Sequence, residues 1–150
     1  MLTSHSPPAI DLIVLDTNVV LDWLVFKDPS AHTLGVAIAQ GRVRWVATAA
    51  MRGEMLEVLQ RGLAAERGAS IVEALTNWDA CVVPCDAPGA QHAATALCCT
   101  DPDDQKFVDL ALATRARWLL SRDRAVLRLA RRASARGMTI TVPQAWIPPT

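Results

Sequence analysis

Neither sign of charge dominates this sequence, and it has no long run of apolar residues. Fifteen basic residues balance fifteen acidic ones, so no overall field draws the protein onto nucleic acid, and any polyanion must be held locally. The first residues carry no basic segment, and the apolar run that follows them ends at Asp16. This pattern predicts neither a signal peptide nor a membrane span. We therefore expect a cytoplasmic protein with no membrane partner.

The common sequence motifs of zinc sites, serine hydrolases and nucleotide-binding proteins are missing. The four cysteines form no C-x-x-C pair, and no histidine stands at zinc-finger spacing, so we expect reduced, mostly buried thiols. The chain contains no G-x-S-x-G, no P-loop and no G-x-G-x-x-G motif. Only two lysines occur, Lys27 and Lys106, and neither lies on a late predicted strand, which argues against a receiver domain that is phosphorylated on Asp16.

Apolar segments of strand and helix character alternate along the chain. Strands are predicted at residues 10–15, 42–48, 80–84, 117–121 and 138–143, and helices at 18–26, 28–40, 49–61, 66–78, 101–116 and 124–136. Pro84 must end its strand or lie at a sheet edge, and residues 85–100 give no clear pattern. The alternation predicts one α/β domain over 10–150, with three α/β/α layers around a mainly parallel sheet, and an N-terminal extension over 1–9.

Carboxylates stand where the predicted strands end. Asp16 directly follows the first strand, Asp123 lies just past the fourth, and Asp104 begins the helix that leads into the fourth strand. Ligands of parallel sheets bind beyond the carboxyl ends of the strands where strand order reverses, so these distant residues can converge. Glu54, on the helix after the second strand, is a fourth candidate. Because close like charges disfavour ionisation, such a group needs a hard divalent cation, for which Mg²⁺ or Mn²⁺ is best suited.

Each acid also has a purely structural interpretation. Asp16 and Asp123 are placed to cap helices, and Asp101 with Asp104 resembles a capping pair. Asp103 is a spare acid in the same stretch, which we interpret as solvated or as complementing the helix dipole. A single residue does not decide between the two interpretations, whereas their joint placement favours a shared site.

Arginine residues crowd one late segment and recur at three- and four-residue steps on the predicted helix 124–136, at Arg124, Arg128, Arg131 or Arg132, and Arg136. Such a stripe can hold RNA phosphates by charge, and we predict this role for Arg122, Arg124 and Arg128. A solvated helix face is the alternative. The five tryptophans lie mostly in apolar patterns, which favours packing over base stacking.

Several segments together resemble the PIN domain, in particular the group described as toxin components of toxin-antitoxin systems. They are VLDTNVVLDWL at 14–24, the helix that contains Glu54, DPDDQKFVDLALATRARWLLSRDRAVLRL at 101–129, and the closing TITVPQAWI. The likeness runs over nearly the whole chain beyond residue 10. It implies a Rossmann-like α/β/α fold in which four acids bind Mg²⁺ or Mn²⁺ and cleave RNA.

The resemblance also implies site residues, carried over position by position. The catalytic acids are Asp16, Glu54, Asp104 and Asp123. Of these, Asp16, Asp104 and Asp123 are the expected metal ligands, and Asn18 and Ser121 match small polar positions that support the acids. Glu57 and Asp103 are neighbours that can stand in for Glu54 and Asp104, and this alternative stays open.

The resulting hypothesis is a metal-dependent endoribonuclease, the toxin of a toxin-antitoxin pair. Its expected partners are RNA, a cognate antitoxin and a second copy of the chain, with apolar helices around 19–26 and 71–78 as candidate dimer surfaces. Two alternatives remain: a catalytically silent PIN-like module that binds protein, and a nuclease that acts on DNA.

Overall fold

The computed structural model describes residues 9–63, 70–89 and 97–150, except for the side chain of Leu63. The predicted extension 1–9 lies outside the described residues apart from residue 9, as do residues 66–69 of one predicted helix and residues 90–96 of the segment without a clear pattern. Within the described ranges, no helix is long and apolar enough to span a bilayer.

Five parallel strands build the sheet. They are β1 (Leu12–Leu15), β2 (Arg44–Thr48), β3 (Val83–Cys85), β4 (Trp118–Leu120) and β5 (Thr139–Thr141), in the order β3-β2-β1-β4-β5. All four neighbouring pairs are parallel. The order reverses between β1 and β4, so the crevice expected in such sheets lies beyond the carboxyl ends of these two strands.

Helices follow the strands, as crossover connections in a parallel sheet require. They are α1 (Thr17–Leu24), α2 (His32–Ala39), α3 (Ala49–Val58), α4 (Ile71–Cys81), α5 (Gln105–Thr114), α6 (Arg124–Leu127) and α7 (Ala130–Ala135). Short 3-10 turns at Pro29–Ala31, Pro102–Asp104 and Pro143–Ala145 complete the pattern. The predicted α/β fold with a central parallel sheet is confirmed.

The prediction of one basic helix over 124–136 is wrong. The chain forms α6 and α7, separated by a turn at residues 128–129. In this turn the Leu129 amide bonds to the Val126 carbonyl, three residues back, which tightens the backbone. Val126 of α6, Leu129 of the turn and Ala133 of α7 are all buried. The arginines therefore do not lie on one continuous helix face.

Two other predicted boundaries shift by a few residues. Instead of ending at residue 78, α4 continues to Cys81, with the Val82 amide bonded to the Trp78 carbonyl. The following strand therefore covers 83–85 rather than 80–84. As predicted, it is an edge strand. Proline has no amide hydrogen, and on the outer side of an edge strand no neighbouring strand needs that hydrogen bond.

The apolar core contains the tryptophans, as predicted from their patterns. Trp45 is fully buried and makes edge-to-face contacts with Trp23 and Trp78, at ring-centroid distances of 5.4 and 4.5 Å. Trp118 and Trp146 form a similar pair at 5.5 Å. The cysteines are free thiols, but the expectation that most are buried is wrong, since Cys98 is exposed and the other three are only half-buried.

Candidate metal centre

Asp16 and Ser121 join the ends of β1 and β4. Asp16, only 3% exposed, caps α1 by accepting a hydrogen bond from the Val19 amide (2.9 Å) with Oδ1. Its Oδ2 accepts a second hydrogen bond from the hydroxyl group of the fully buried Ser121. Because each strand ends at the crevice, this contact fixes Asp16 at the point where strand order reverses.

Ser121 also fixes the loop that carries Asp123. Its Oγ accepts a hydrogen bond from the Asp123 amide at 3.0 Å, so one hydroxyl group donates to Asp16 and accepts from the next acid. Asp123 in turn caps α6 through Oδ1, which accepts from the Ala125 amide at 2.8 Å. The structural interpretation of Asp16 and Asp123 as helix caps is therefore confirmed, and the same contacts bring the two acids to one place.

Asp101 and Asp104 approach Asp123 from the turn before α5. Asp101 accepts a hydrogen bond from the Asp103 amide at 3.0 Å and so begins the turn Pro102–Asp104. Carboxylate oxygens of Asp101, Asp104 and Asp123 lie within 4.8 Å of one another, and all three residues are half-buried. Asp103 is not a member of this acidic group, which we define by these three residues.

The negative charges of the site repel one another. Burial, contact with Asp123 and the negative charges of Asp123, Asp101 and Asp16 raise the pKa of Asp104 to about 7. Burial also raises the pKa of Asp16, although hydrogen bonds from Ser121 and from the Val19 and Arg122 backbone act in the opposite direction. Without a counter-charge, the site therefore favours retention of a proton.

The donor atoms fit a hard divalent cation. The acidic group offers only carboxylate oxygens, which Mg²⁺ and Mn²⁺ prefer over soft metals. One of them, Asp104 Oδ2, is shielded from solvent, and the side chain that contacts Asp104 is another acid, Asp123. A buried acceptor without a donor is costly, and a cation at this position would remove that cost.

Glu54 occupies a neighbouring position. On α3, its Oε2 lies 2.6 Å from Nζ of Lys106, the second residue of α5. Both side chains line a cleft of about 580 Å³, together with Glu57 and Asp103. Glu54 lies outside the acidic group.

Asn18 and Arg122 lie on another side of Asp123. Both line a cleft of about 330 Å³, which Asp123 also borders. Arg122 forms an ion pair with Asp22 of α1, whose side chain is almost fully buried. Arg124 and Arg128 are exposed and line none of these clefts.

Sequence reasoning missed three parts of this arrangement. Asp101 was interpreted only as a cap, Asp22 was not singled out, and Lys106 was noted only as one of two lysines. A signal existed for Asp22, because it is the one acid in an otherwise apolar helical segment. Spacing alone does not reveal that Asp22 pairs with Arg122, one hundred positions later, because the pair depends on the tertiary fold that brings α1 to the loop after β4.

The fold and the site define a parallel α/β protein with a group of carboxylates at the switch point of its sheet. Within that class, the chain belongs to the PIN-domain family, whose model matches residues 12–125. This range includes every acid described above. No curated protein sequence matches the chain.

A solved structure shares the fold. A chain from the crystal structure of VapBC2 from Rickettsia felis, bound to a DNA fragment from their promoter, is similar with a TM-score of 0.61. The sequence identity is 12%, and the alignment covers 86% of this chain and 96% of that one. PIN domains are typically nucleases, so family membership and the acidic group together support a nuclease.

Proposed function

We propose that the protein is a divalent-metal-dependent endoribonuclease and the toxin of a toxin-antitoxin pair. The observation that carries this proposal is the convergence of Asp101, Asp104 and Asp123 beside Asp16 at the switch point of a PIN-domain sheet. The toxin role is supported by the resemblance of the motifs to such toxins and by the shared fold with a chain of VapBC2.

In the proposed mechanism, Asp16, Asp104 and Asp123 would hold Mg²⁺ or Mn²⁺, with Asp101 as a further ligand candidate. The bound cation would supply charge neutralisation and activation of water for attack on a phosphodiester. Ser121 orients Asp16 and the Asp123 loop, since it bonds to both. Glu54 completes the predicted set of catalytic acids from the adjacent cleft, and Asn18 supports the site from the other side.

Cleavage of single-stranded RNA by Asp104→Asn protein tests the catalytic proposal, with Asp103→Asn as the matched control. Both variants remove one negative charge from adjacent positions, but only Asp104 belongs to the acidic group. We expect Asp104→Asn to lower the metal-dependent rate by more than about a hundredfold, and Asp103→Asn to cleave nearly as the wild type does. EDTA should stop cleavage.

Three outcomes would contradict parts of the proposal. Equal loss in both variants would mean that net charge matters and the acidic group does not. Cleavage of DNA of the same sequence, but not of RNA, would favour the DNA nuclease. Failure to cleave any substrate, together with retained binding of a partner protein, would favour a PIN-like module that binds protein.

The proposed partners are a cognate antitoxin and a second copy of the chain, within the cytoplasm. Of the two helices predicted as dimer surfaces, α1 buries Val19, Val20 and Leu21 in the chain's own core, whereas α4 exposes Val72. Among those two helices, α4 is thus the better candidate for dimer contacts. Light scattering measures the dimer directly, and a monomer at all tested concentrations would contradict it.

A further inference from the structure

Two cations with carboxylate partners flank the acidic group. Arg122 pairs with Asp22 in one cleft, and Lys106 pairs with Glu54 in another. Asp123 itself borders the Arg122 cleft, while Asp103 and Lys106, the sequence neighbours of Asp104, line the Lys106 cleft. The acidic group therefore has one cleft with a paired cation beside Asp123 and another beside the sequence neighbours of Asp104, which Arg61 also lines.

The surroundings of the site make such cations necessary for binding a polyanion. Carboxylates of the acidic group and of the neighbouring Asp103 and Glu57 lie where a phosphodiester must approach, and the chain as a whole has no net charge that would attract RNA. A nucleic-acid strand is therefore repelled by the site itself unless nearby side chains bind its phosphates.

The ion pairs fix these cations without using all their donors. Lysine has three N–H donors and arginine has five, and the paired carboxylates occupy only some of them. Lys106 and Arg122 are each more than a third exposed, so the remaining donors can reach a ligand. A side chain that is already fixed loses less conformational freedom when it binds, which favours a specific contact over a diffuse charge effect.

We infer that Lys106 and Arg122 bind two phosphates of one RNA strand that crosses the acidic group, and that Asp22 is a positioning residue for Arg122. This inference rests on the proposed function for the identity of the substrate. It assigns phosphate binding to Lys106, which the motifs did not suggest, and makes Arg124 and Arg128 secondary to the two anchored cations.

The test is binding of a fluorescein-labelled 20-nucleotide RNA in EDTA, followed by anisotropy over a range of salt concentrations, with a gel to verify that the RNA stays intact. We expect Lys106→Gln and Arg122→Gln each to weaken binding by about tenfold or more, because each removes a hydrogen bond to a charged group. Each should also reduce the salt-dependence slope by about 0.7. Arg44→Gln, an exposed arginine at the amino end of β2, away from the crevice, is the matched control and should change binding by less than about threefold.

Asp22→Asn separates positioning from charge. If only net charge matters, Asp22→Asn removes a negative charge and should tighten RNA binding. If Asp22 positions Arg122, the same variant leaves Arg122 unfixed and should weaken RNA binding. If Arg122→Gln fails to fold because Asp22 is left buried and unpaired, the double variant Asp22→Asn/Arg122→Gln removes both charges and should show the same loss of binding.

Effects of Lys106→Gln and Arg122→Gln no larger than that of Arg44→Gln would overturn the inference. Tighter binding by Asp22→Asn would overturn the positioning role. The outcomes also separate the inference from the proposed function. If the wild-type protein cleaves RNA but Lys106→Gln and Arg122→Gln bind RNA normally, only the inference fails. If these two variants bind RNA weakly but the wild-type protein does not cleave it, only the proposed catalysis fails.

Discussion

Asp104 combines the functions of a helix-entry residue and a metal-ligand candidate. It ends the turn that Asp101 begins and lies at the N-terminus of α5, where the helix dipole favours a negative charge. Its pKa nevertheless rises to about 7, first because of burial and then because of neighbouring carboxylates. Burial and the crowding of acids together therefore outweigh the helix dipole at this residue.

This raised pKa predicts how pH changes stability without metal. The Asp104 pKa is about 7 in the folded protein against 3.8 in the unfolded chain, so the folded state binds more protons between these values. The free energy of unfolding should therefore fall as pH rises from about 4 to about 7, and Mn²⁺ should restore it most at the upper end, because the cation binds the ionised carboxylates.

Thermal melting at several pH values, with and without Mn²⁺, measures this effect. Asp104→Asn is the control, because its side chain does not titrate and its melting temperature should vary less with pH over the same range. A wild-type protein whose metal-free stability varies with pH no more than that of Asp104→Asn would contradict the assignment.

At the scale of elements, α2 packs closely against α1 at Gly35. A Cβ atom at this position would lie 2.6 Å from Nε1 of Trp23, whose ring also contacts Trp45 at the edge of the core. Gly35→Ala should therefore displace the indole ring, and we expect a loss of about 1–3 kcal/mol in the free energy of unfolding.

Gly53→Ala is the control for this prediction. Gly53 lies in α3 and has nothing within 4 Å of its Cβ position, so alanine should raise stability by up to about 1 kcal/mol through helix propensity. Urea denaturation measures both variants. If Gly35→Ala were as stabilising as Gly53→Ala, the close contact between α2 and Trp23 would be wrong.

Local signals predicted some elements better than others. The Asp28-Pro29 and Asp101-Pro102 pairs mark helix starts that the structure places at those residues, since both aspartates accept hydrogen bonds from amides two residues ahead. The turn at 128–129 has no glycine or proline to indicate it. The structure shows it as a hydrogen bond from the Leu129 amide to the Val126 carbonyl, whereas buried residues four apart, such as Leu129 and Ala133, are equally consistent with an unbroken helix.

At the scale of the whole molecule, the alternation of strands and helices was sufficient to predict the fold class. The parallel sheet then explains why Asp16 and Ser121, more than one hundred positions apart, come together. Strands β1 and β4 are parallel neighbours, so both end at the same edge of the sheet. Side-chain pairs such as Asp22 with Arg122 and Glu54 with Lys106 could not be predicted, because periodicity fixes the faces of helices but not the contacts across them.

If the acidic group holds a divalent cation, anomalous diffraction from crystals soaked in Mn²⁺ should show the ion there. We expect a Mn²⁺ peak within about 2.1 Å of carboxylate oxygens of Asp104 and Asp123, and no such peak in crystals of Asp104→Asn. Wild-type crystals with no peak at these residues, or with Mn²⁺ bound only elsewhere, would contradict the proposed metal centre.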